Sequence, residues 1–253
     1  MEQFVKNRPD APAGFFEAEA AGLAWLRVAG GVRVVGVAEV GPGRISLERI
    51  TESRADAAAA AAFGAALAVT HDAGAAAFGS PPEGWDGPVF IGRRRQPSRP
   101  TASWGSFYAE QRVRPFLEAA VAARNLDGAG AAVVERACDL VAAGTFDDGD
   151  RPARLHGDLW AGNVLWSAGG VVMIDPAAHG GHRETDLAML RLFGCPFLDV
   201  VLAAYDTQHP LVPGWRERVP LHQLHPLAVH AAGHGPAYGA ALVDAARRTL
   251  ALG

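Results

Sequence analysis

His156-Gly157-Asp158-Leu159-Trp160-Ala161-Gly162-Asn163 is the stretch on which the fold of this chain turns. Its spacing, H-x-D-L-x-x-x-N, suits phosphoryl transfer. One carboxylate must accept a hydroxyl proton, or orient that hydroxyl, in line with the γ-phosphorus. An amide oxygen a few residues later must reach a magnesium ion on the other side of the transferring group. Asp158 and Asn163 fit those two roles, with Asp158 as catalytic base and Asn163 as metal ligand. Gly157 and Gly162 let the backbone turn tightly around them. A lone His-Gly-Asp is more often an ordinary turn, so a second feature has to carry the weight.

That feature is Val171-Val172-Met173-Ile174-Asp175-Pro176, an apolar strand that delivers a carboxylate at its end. Asp175 there can hold magnesium between the β- and γ-phosphates. Two short strands, 163–166 and 171–174, flank Ser167-Ala168-Gly169-Gly170, which reads as a four-residue hairpin loop. The hairpin would bring Asn163 and Asp175 to one site. Upstream, a strand over 2–7 carries Lys6 and a helix over 15–28 carries Glu19, with Phe16, Ala20 and Leu23 on one face. A lysine on the phosphates held by a helix glutamate completes the set. The competing explanation is a surface lysine and a surface glutamate. Glu17 competes with Glu19 for the pairing, and Glu19 is preferred because it lies four residues before Leu23, as such glutamates do in similar phosphotransferases.

Working outward, the first 50 residues mix strand and helix. Strands over 33–40 and 44–50 join at Gly41-Pro42-Gly43, and Leu47-Glu48-Arg49-Ile50 falls where a two-lobed phosphotransferase has its hinge. Glu48 and Ile50 are therefore candidate nucleotide contacts. From Asp56 the chain turns to alanine-rich helices, over 56–70, 103–123 and 130–143. A Gly- and Pro-rich loop over 73–100 separates the first two, and its length suggests a substrate-facing loop. Arg93-Arg94-Arg95 within it is most simply a solvated face, with phosphate binding as the alternative. From Asp186 to Leu252 the pattern is mainly helical. The expected fold class is α+β, a two-lobe protein-kinase-like plan. A small β-containing N-lobe (1–50) precedes a larger, mainly helical C-lobe (51–253).

Composition narrows the classes. Of 253 residues, 49% are hydrophobic and 20% charged, ordinary for a soluble globular protein. A formal net charge of −4 argues against nucleic acid as the main partner. No apolar run approaches the roughly 18 residues that span a bilayer, and no signal-peptide core opens the chain, so no membrane role is expected. Cys138 and Cys195 form no motif and read as buried residues in a reducing, cytoplasmic setting. Among His222, His225, His230 and His234, the last two could share a helix face, but no ligand set is completed, and a structural or pocket-lining role is expected.

Taken together, the sequence resembles the fructosamine kinase family, also called ketosamine 3-kinases, over nearly its whole length. The carrying residues are Phe16 through Leu23, Thr70-His71, Phe78-Gly79, Ile91-Gly92, Gln96, Trp104, Phe107 and Arg112. Leu155 through Asn163, Ile174 through Ala177, Gly181 through Met189, Leu192-Phe193-Gly194, Ala204-Tyr205, Leu221 through Leu227 and His230 continue the pattern. Aminoglycoside and choline-type phosphotransferases share the HGD, Asn and Asp positions but usually lack the tryptophan at 160 and the Gly181-His182-Arg183-Glu184 run. The resemblance implies ATP and Mg2+ as cofactors and transfer of the γ-phosphoryl to the 3-hydroxyl of a ketosamine, free or protein-bound. The phosphorylated product sheds its sugar, which makes the reaction deglycation. Bacterial relatives often prefer shorter sugars, such as ribulosamines. The resemblance further implies that Asp186 braces the catalytic-loop backbone from the following helix, that His156 has a substrate-side or structural role, and that Trp160 shapes the sugar pocket, with a buried core tryptophan as the alternative. The alternatives are a phosphotransferase for another hydroxyl substrate, such as an aminoglycoside or amino alcohol, and a noncatalytic nucleotide- or ligand-binding module. Oligomeric state is not legible.

Two departures accompany the resemblance. Five residues precede Lys6, where the family places two strands and a glycine-rich turn over the phosphates. A displaced start, a variant working without that clamp and a noncatalytic relative each account for it, the first being preferred. The expectation is weaker ATP binding for the chain as given. Ser98 stands where the family carries an asparagine.

Overall fold

The computed structural model describes residues 2–253. Its first part is β1 (Gln3–Asn7), α1 (Phe15–Trp25), β2 (Arg33–Val34), β3 (Val37–Gly41) and β4 (Arg44–Glu48). β4 lies between β1 and β3 in an antiparallel sheet, with Lys6 opposite Ile45. Gly43, at φ 70°, closes the β3–β4 hairpin in a conformation that glycine adopts without strain. The strand expected over 33–40 is interrupted. Arg33–Val34 leaves the sheet to pair in parallel with a later strand, and Gly36 instead accepts the Glu48 amide at 2.7 Å. α1 stops at Trp25, short of Val28, and buries Phe16 and Leu23 against the sheet.

α2 (Ala57–Asp72) starts on Asp56, whose side chain accepts the Ala59 amide at 2.8 Å as an N-cap. The long loop that follows is not structureless. It contains a hairpin, β5 (Val89–Ile91) and β6 (Arg94–Gln96), turning on Gly92-Arg93. Three-residue strands among glycines and prolines leave no period-two signal to read. The next helical stretch divides into α3 (Trp104–Phe107), a π-helical segment (Tyr108–Val113) and α4 (Arg114–Ala122). Pro115 supplies the reason, because it has no amide to offer the Gln111 carbonyl. That carbonyl accepts Arg112 Nη1 at 3.0 Å instead.

After α5 (Gly128–Ala142) come β7 (Ala153–Leu155), a 3-10 turn (Ala161–Asn163), β8 (Val164–Ser167), β9 (Gly170–Met173) and β10 (His179–Gly181). The β8–β9 hairpin pairs Ser167 with Gly170, so its loop is the two residues Ala168-Gly169 rather than four. β7 and β10, an antiparallel pair absent from the sequence reading, set His179 beside Leu155. The chain ends in α6 (Glu184–Leu192), α7 (Leu198–Gln208), α8 (Trp215–Ala231) and α9 (Pro236–Leu250). α2 packs closely on α7 because residue 64 is glycine: a Cβ there would stand 2.1 Å from the Val201 carbonyl oxygen.

Two apolar cores result. One runs from Phe16, Leu23 and Ile45 through Phe63 and Leu67 to Met173 and Tyr205. The other joins Phe107, Tyr108 and Val113 to Leu224 and Leu242. Cys138 and Cys195 are buried and free. Among the described residues no helix is long and apolar enough to cross a membrane.

Candidate active site

The loop between β7 and the 3-10 turn is held from several sides. Leu159 is fully buried and fixes its middle. Asp186, in the first turn of α6, accepts the amides of His156 at 2.8 Å and Gly157 at 3.0 Å. His71 of α2 reaches the same carboxylate at 3.3 Å and Tyr205 at 2.7 Å. The His156 ring contacts the Ile174 carbonyl at 2.8 Å. Burial holds that imidazole below its ordinary range, and hence neutral. Gly157 has φ 79°, and a Cβ on it would meet the Ala177 oxygen at 2.3 Å and His179 Nδ1 at 2.8 Å. Only glycine fits that corner.

Asn163 ties the two halves of the site together. Its Nδ2 donates to the Asp158 carbonyl at 2.8 Å and to Asp158 Oδ2 at 3.1 Å, while its carbonyl accepts the Ile174 amide at 3.1 Å. Asp175, just past β9, is a non-glycine residue at φ 53°. Such a backbone costs of order 1 kcal/mol or more and is characteristic of functional sites. Its carboxylate contacts Lys6, which also pairs with Glu19 at 2.8 Å. Glu19, not Glu17, is therefore the helix partner. Desolvation raises the Glu19 pKa, the Lys6 charge opposes that rise, and Asp175 adds to it.

Asp158 is half-buried. Desolvation pushes its carboxyl up to about 7 against the Asn163 hydrogen bond, helped by the neighbouring charges of Asp175 and Asp186. A base poised near neutrality suits proton transfer. No hydrogen bond is made to Asn163 Oδ1 or Asp175 Oδ2 among the described residues. Those two hard oxygens fit a magnesium ion, a cation that prefers oxygen ligands.

A cleft of about 590 Å³ collects these groups: Lys6, Glu19, Asp158, Asn163 and Asp175 line it together with Trp160. Trp160 is 41% exposed, so it forms a wall of the cleft rather than core. Gly162 makes room for the ring, since a Cβ there would sit 2.2 Å from it. A second cavity of about 380 Å³ begins at Lys6 and Asp175 and continues past Val35, Leu47 and Leu165. Glu48 and Ile50 line this one. The Glu48 side chain turns away to Arg33 and to the Gly36 amide at 3.3 Å, and Ile50 makes no backbone hydrogen bond among the described residues. Thus all the residues singled out in the sequence fall on two joined cavities, except His156 and Asp186, which lie beneath the loop.

Other residues emerge only in three dimensions. Arg8, Phe15, Phe90 and Arg93 also line the larger cleft. Arg112, in the π-helical segment, is 1% exposed and lies behind the loop, with Nε 3.3 Å from His179 Nε2. The period-two relation of Arg8 to Lys6 was a usable signal. Arg112 was among the residues that carry the resemblance, but nothing in the sequence gave it a role.

The C-terminal histidines do not form one site. His222 contacts Glu184 at 3.3 Å, His225 contacts the Arg112 carbonyl at 2.8 Å, and His230 packs on Phe193 and Tyr238. His182, Glu184 and His222 do converge, but Glu184 is already held by Arg218 and His182 by Asp148.

Comparisons with known proteins bear on the family and the fold. The family model described as fructosamine kinase matches residues 1–251. A "Probable ketoamine kinase" of Thermus thermophilus is 34% identical over 241 residues, covering 94% of this chain and 84% of that protein. One of Enterococcus faecium is 32% identical over 241 residues, covering 93% and 83%. Among solved structures, a candidate fructosamine-3-kinase of Thermobifida fusca superposes with a TM-score of 0.91 at 46% identity, covering 98% of this chain and 85% of that one.

Proposed function

The chain belongs to the fructosamine kinase family, and from that premise we propose that it transfers the γ-phosphoryl group of ATP to the sugar 3-hydroxyl of a ketosamine. The observation that carries this is the gathering of Lys6, Glu19, Asp158, Asn163 and Asp175 on a cleft walled by Trp160. Loss of the sugar from the phosphorylated product would make the reaction a deglycation. The free, buried cysteines suit a reducing setting, and we read the protein as cytoplasmic.

Each side chain has a task that follows from its place. Asp158 orients the acceptor hydroxyl and receives its proton. Its raised pKa keeps it a useful base only at and above neutral pH. Asn163 Oδ1 and Asp175 would hold magnesium, which when bound neutralises charge on the β- and γ-phosphates. Lys6 now bridges Glu19 and Asp175. Nucleotide binding would move part of that attraction from Asp175 to phosphate oxygens, with Glu19 retaining the ammonium. The smaller cavity, with Glu48 and Ile50 at the junction of 1–50 and 51–253, would take the adenosine. Asp186 keeps the loop amides in place, so that Asp158 is not free to drift. Positioning of this kind supplies most of the catalysis in phosphoryl transfer.

The test is ATP turnover on matched ribulosamine, fructosamine, amino alcohol and aminoglycoside substrates. Magnesium-dependent phosphorylation of a ketosamine at O3, mapped by NMR, is the expected result. Turnover of an amino alcohol or aminoglycoside alone would move the protein to another substrate class.

A further inference from the structure

The larger cleft is electrically divided. Glu19, Asp158 and Asp175 supply its negative groups, and Lys6 is committed to two of them. Two further cations line the cleft, Arg8 and Arg93; Arg8 has only a long ion pair to the exposed Asp10, and Arg93 has none among the described residues. Arg8 follows β1 two residues after Lys6, so both side chains project to the same side of the extended backbone. The Arg8 amide still pairs with the Gly43 carbonyl at 2.7 Å, which keeps the strand straight to that point. Its guanidinium lies over the Phe15 ring at 4.8 Å. Its Nε is buried without a hydrogen-bond partner, and the nearest carboxylate, the exposed Asp10, stands 3.7 Å away. A buried N–H left unmatched is destabilising, and a bound anion would satisfy it.

Arg93 reaches the same cleft from the β5–β6 turn. The three consecutive arginines have separate fates. Arg94 donates to the Ala232 carbonyl at 2.6 Å, and Arg95 lies over Phe90 at 6.0 Å. Arg93 alone of the three lines the cavity, and no carboxylate lies within 4.0 Å of it among the described residues. Both arginines line the one cleft. Phe15, under Arg8, meets Phe90 of the β5–β6 hairpin edge-on at 5.1 Å, so the start of α1 and the hairpin that carries Arg93 are in contact.

We propose that Arg8 and Arg93 form an anion subsite that takes the carboxylate of a ketosamine built on an amino acid. This rests on the ketosamine kinase reading and narrows it. Such an adduct is a zwitterion: its secondary ammonium suits the acidic groups around Asp158, and its carboxylate suits the two arginines. The planar guanidinium fork matches a carboxylate in two hydrogen bonds, which a lysine could not do. A cleft of about 590 Å³ lies in the range that accommodates a small sugar–amino acid adduct. Neutral amine adducts would fill the same space and leave both cations unmatched.

The experiment compares two acceptors with one sugar, the ribulosamine of glycine and that of glycinamide, which differ in the charge at the far end. The wild-type protein is expected to favour the glycine adduct about tenfold in kcat/KM, a preference that shrinks as salt is raised. Arg93→Gln and Arg8→Gln should each bring the ratio to about threefold or less, and the double variant to about one. Arg93 is exposed, so its variant keeps the result readable should Arg8→Gln fold poorly. Equal kcat/KM for the two acceptors in the wild type would overturn the subsite. So would an unchanged ratio in the double variant. An effect of Arg8→Gln confined to KM for ATP would reassign Arg8 to the nucleotide and overturn its part. If neither adduct is phosphorylated, the ketosamine kinase reading fails by itself. Calorimetric binding of the two adducts then still reports the ratio, and equal affinities would sink the subsite as well.

Discussion

Arg112 donates from Nε to His179 Nε2 across 3.3 Å, and no carboxylate lies within 4.0 Å of its guanidinium among the described residues. Burial lowers its pKa to about 9, and the charge is shared out over the Pro97 and Gln111 carbonyls and the face of Phe107 at 4.6 Å. Because His179 Nε2 must accept, its Nδ1–H donates to the Ala177 carbonyl at 2.8 Å. That ring is the surface against which Gly157 turns. A buried arginine that lines neither cavity thus fixes the tautomer of the histidine on which the 156–163 loop rests.

Replacing Arg112 by alanine should cost about 2–4 kcal/mol of stability, from a cavity and two carbonyls left without donors. Arg112→Lys keeps the charge but cannot serve Pro97, Gln111 and His179 at once. It should lower kcat about tenfold while KM for ATP stays within about twofold. Urea denaturation beside steady-state kinetics checks both. A stability loss with unaltered kcat in the lysine variant would reduce Arg112 to a packing residue.

What could be read from the sequence was what lies close along the chain. Asp158, Asn163 and Asp175 are joined by one hairpin, so their spacing already encodes their meeting. Lys6 and Glu19 were readable as a pair because a strand and the next helix offer few ways to face each other. Arg112 was not, since its π-helical turn arises from Pro115 and the Gln111 carbonyl, a local exception to a regular helical pattern. The β7–β10 pair escaped because each strand is three residues long and includes no alternation. Arg93 looked like part of a solvated triplet, and only the hairpin shows that its neighbours point elsewhere.

Asp158→Asn should lower kcat by about 10² or more and leave nucleotide binding nearly intact. The same variant should be more heat-stable at pH 8. The Asp158 pKa rises on folding from 3.8 to about 7, so the folded protein bears the cost of ionising a buried carboxyl above neutrality. Slower turnover with a higher Tm is the expected combination. Turnover close to wild type would remove Asp158 from the base role.

Asp175→Ala should abolish the magnesium dependence of nucleotide binding, because the hard cation loses its carboxylate ligand. Lys6, released from Asp175, keeps Glu19, so weak metal-independent binding of ATP should survive. Calorimetry with magnesium and with a chelator measures this directly. The same magnesium dependence in variant and wild type would count against the assignment.

Acid should unfold the protein through the start of α6, where Glu184 lies two residues before Asp186. Burial disfavours the Glu184 carboxylate, but His222 at 3.3 Å and Arg218 outweigh it and hold its pKa at about 2, below the ordinary 4.5. His222 is pushed down from 6.5 to about 4, first by burial and also by His182, against the pull of Glu184. The other polar groups facing the pair are Thr185, 3.0 Å from His222, and Asp148 on His182. The two signs agree. A carboxyl with a depressed pKa contributes stability above about 4.5 that is lost as pH falls toward about 2. An imidazole kept neutral by the fold contributes stability above about 6.5 that is lost as the unfolded chain takes up its proton toward pH 4. The stability that this pair contributes should therefore fall from about pH 6.5 downward, while the raised Asp158 carboxyl works the other way between about pH 7 and 3.8. Glu184→Gln should be less stable than wild type at pH 7, because Arg218 loses its counter-ion, and the two Tm curves should converge as pH approaches 2. Two parallel curves across pH 2.5–7.5 would show that the Glu184 carboxylate is not the group whose protonation loosens the helix carrying Asp186.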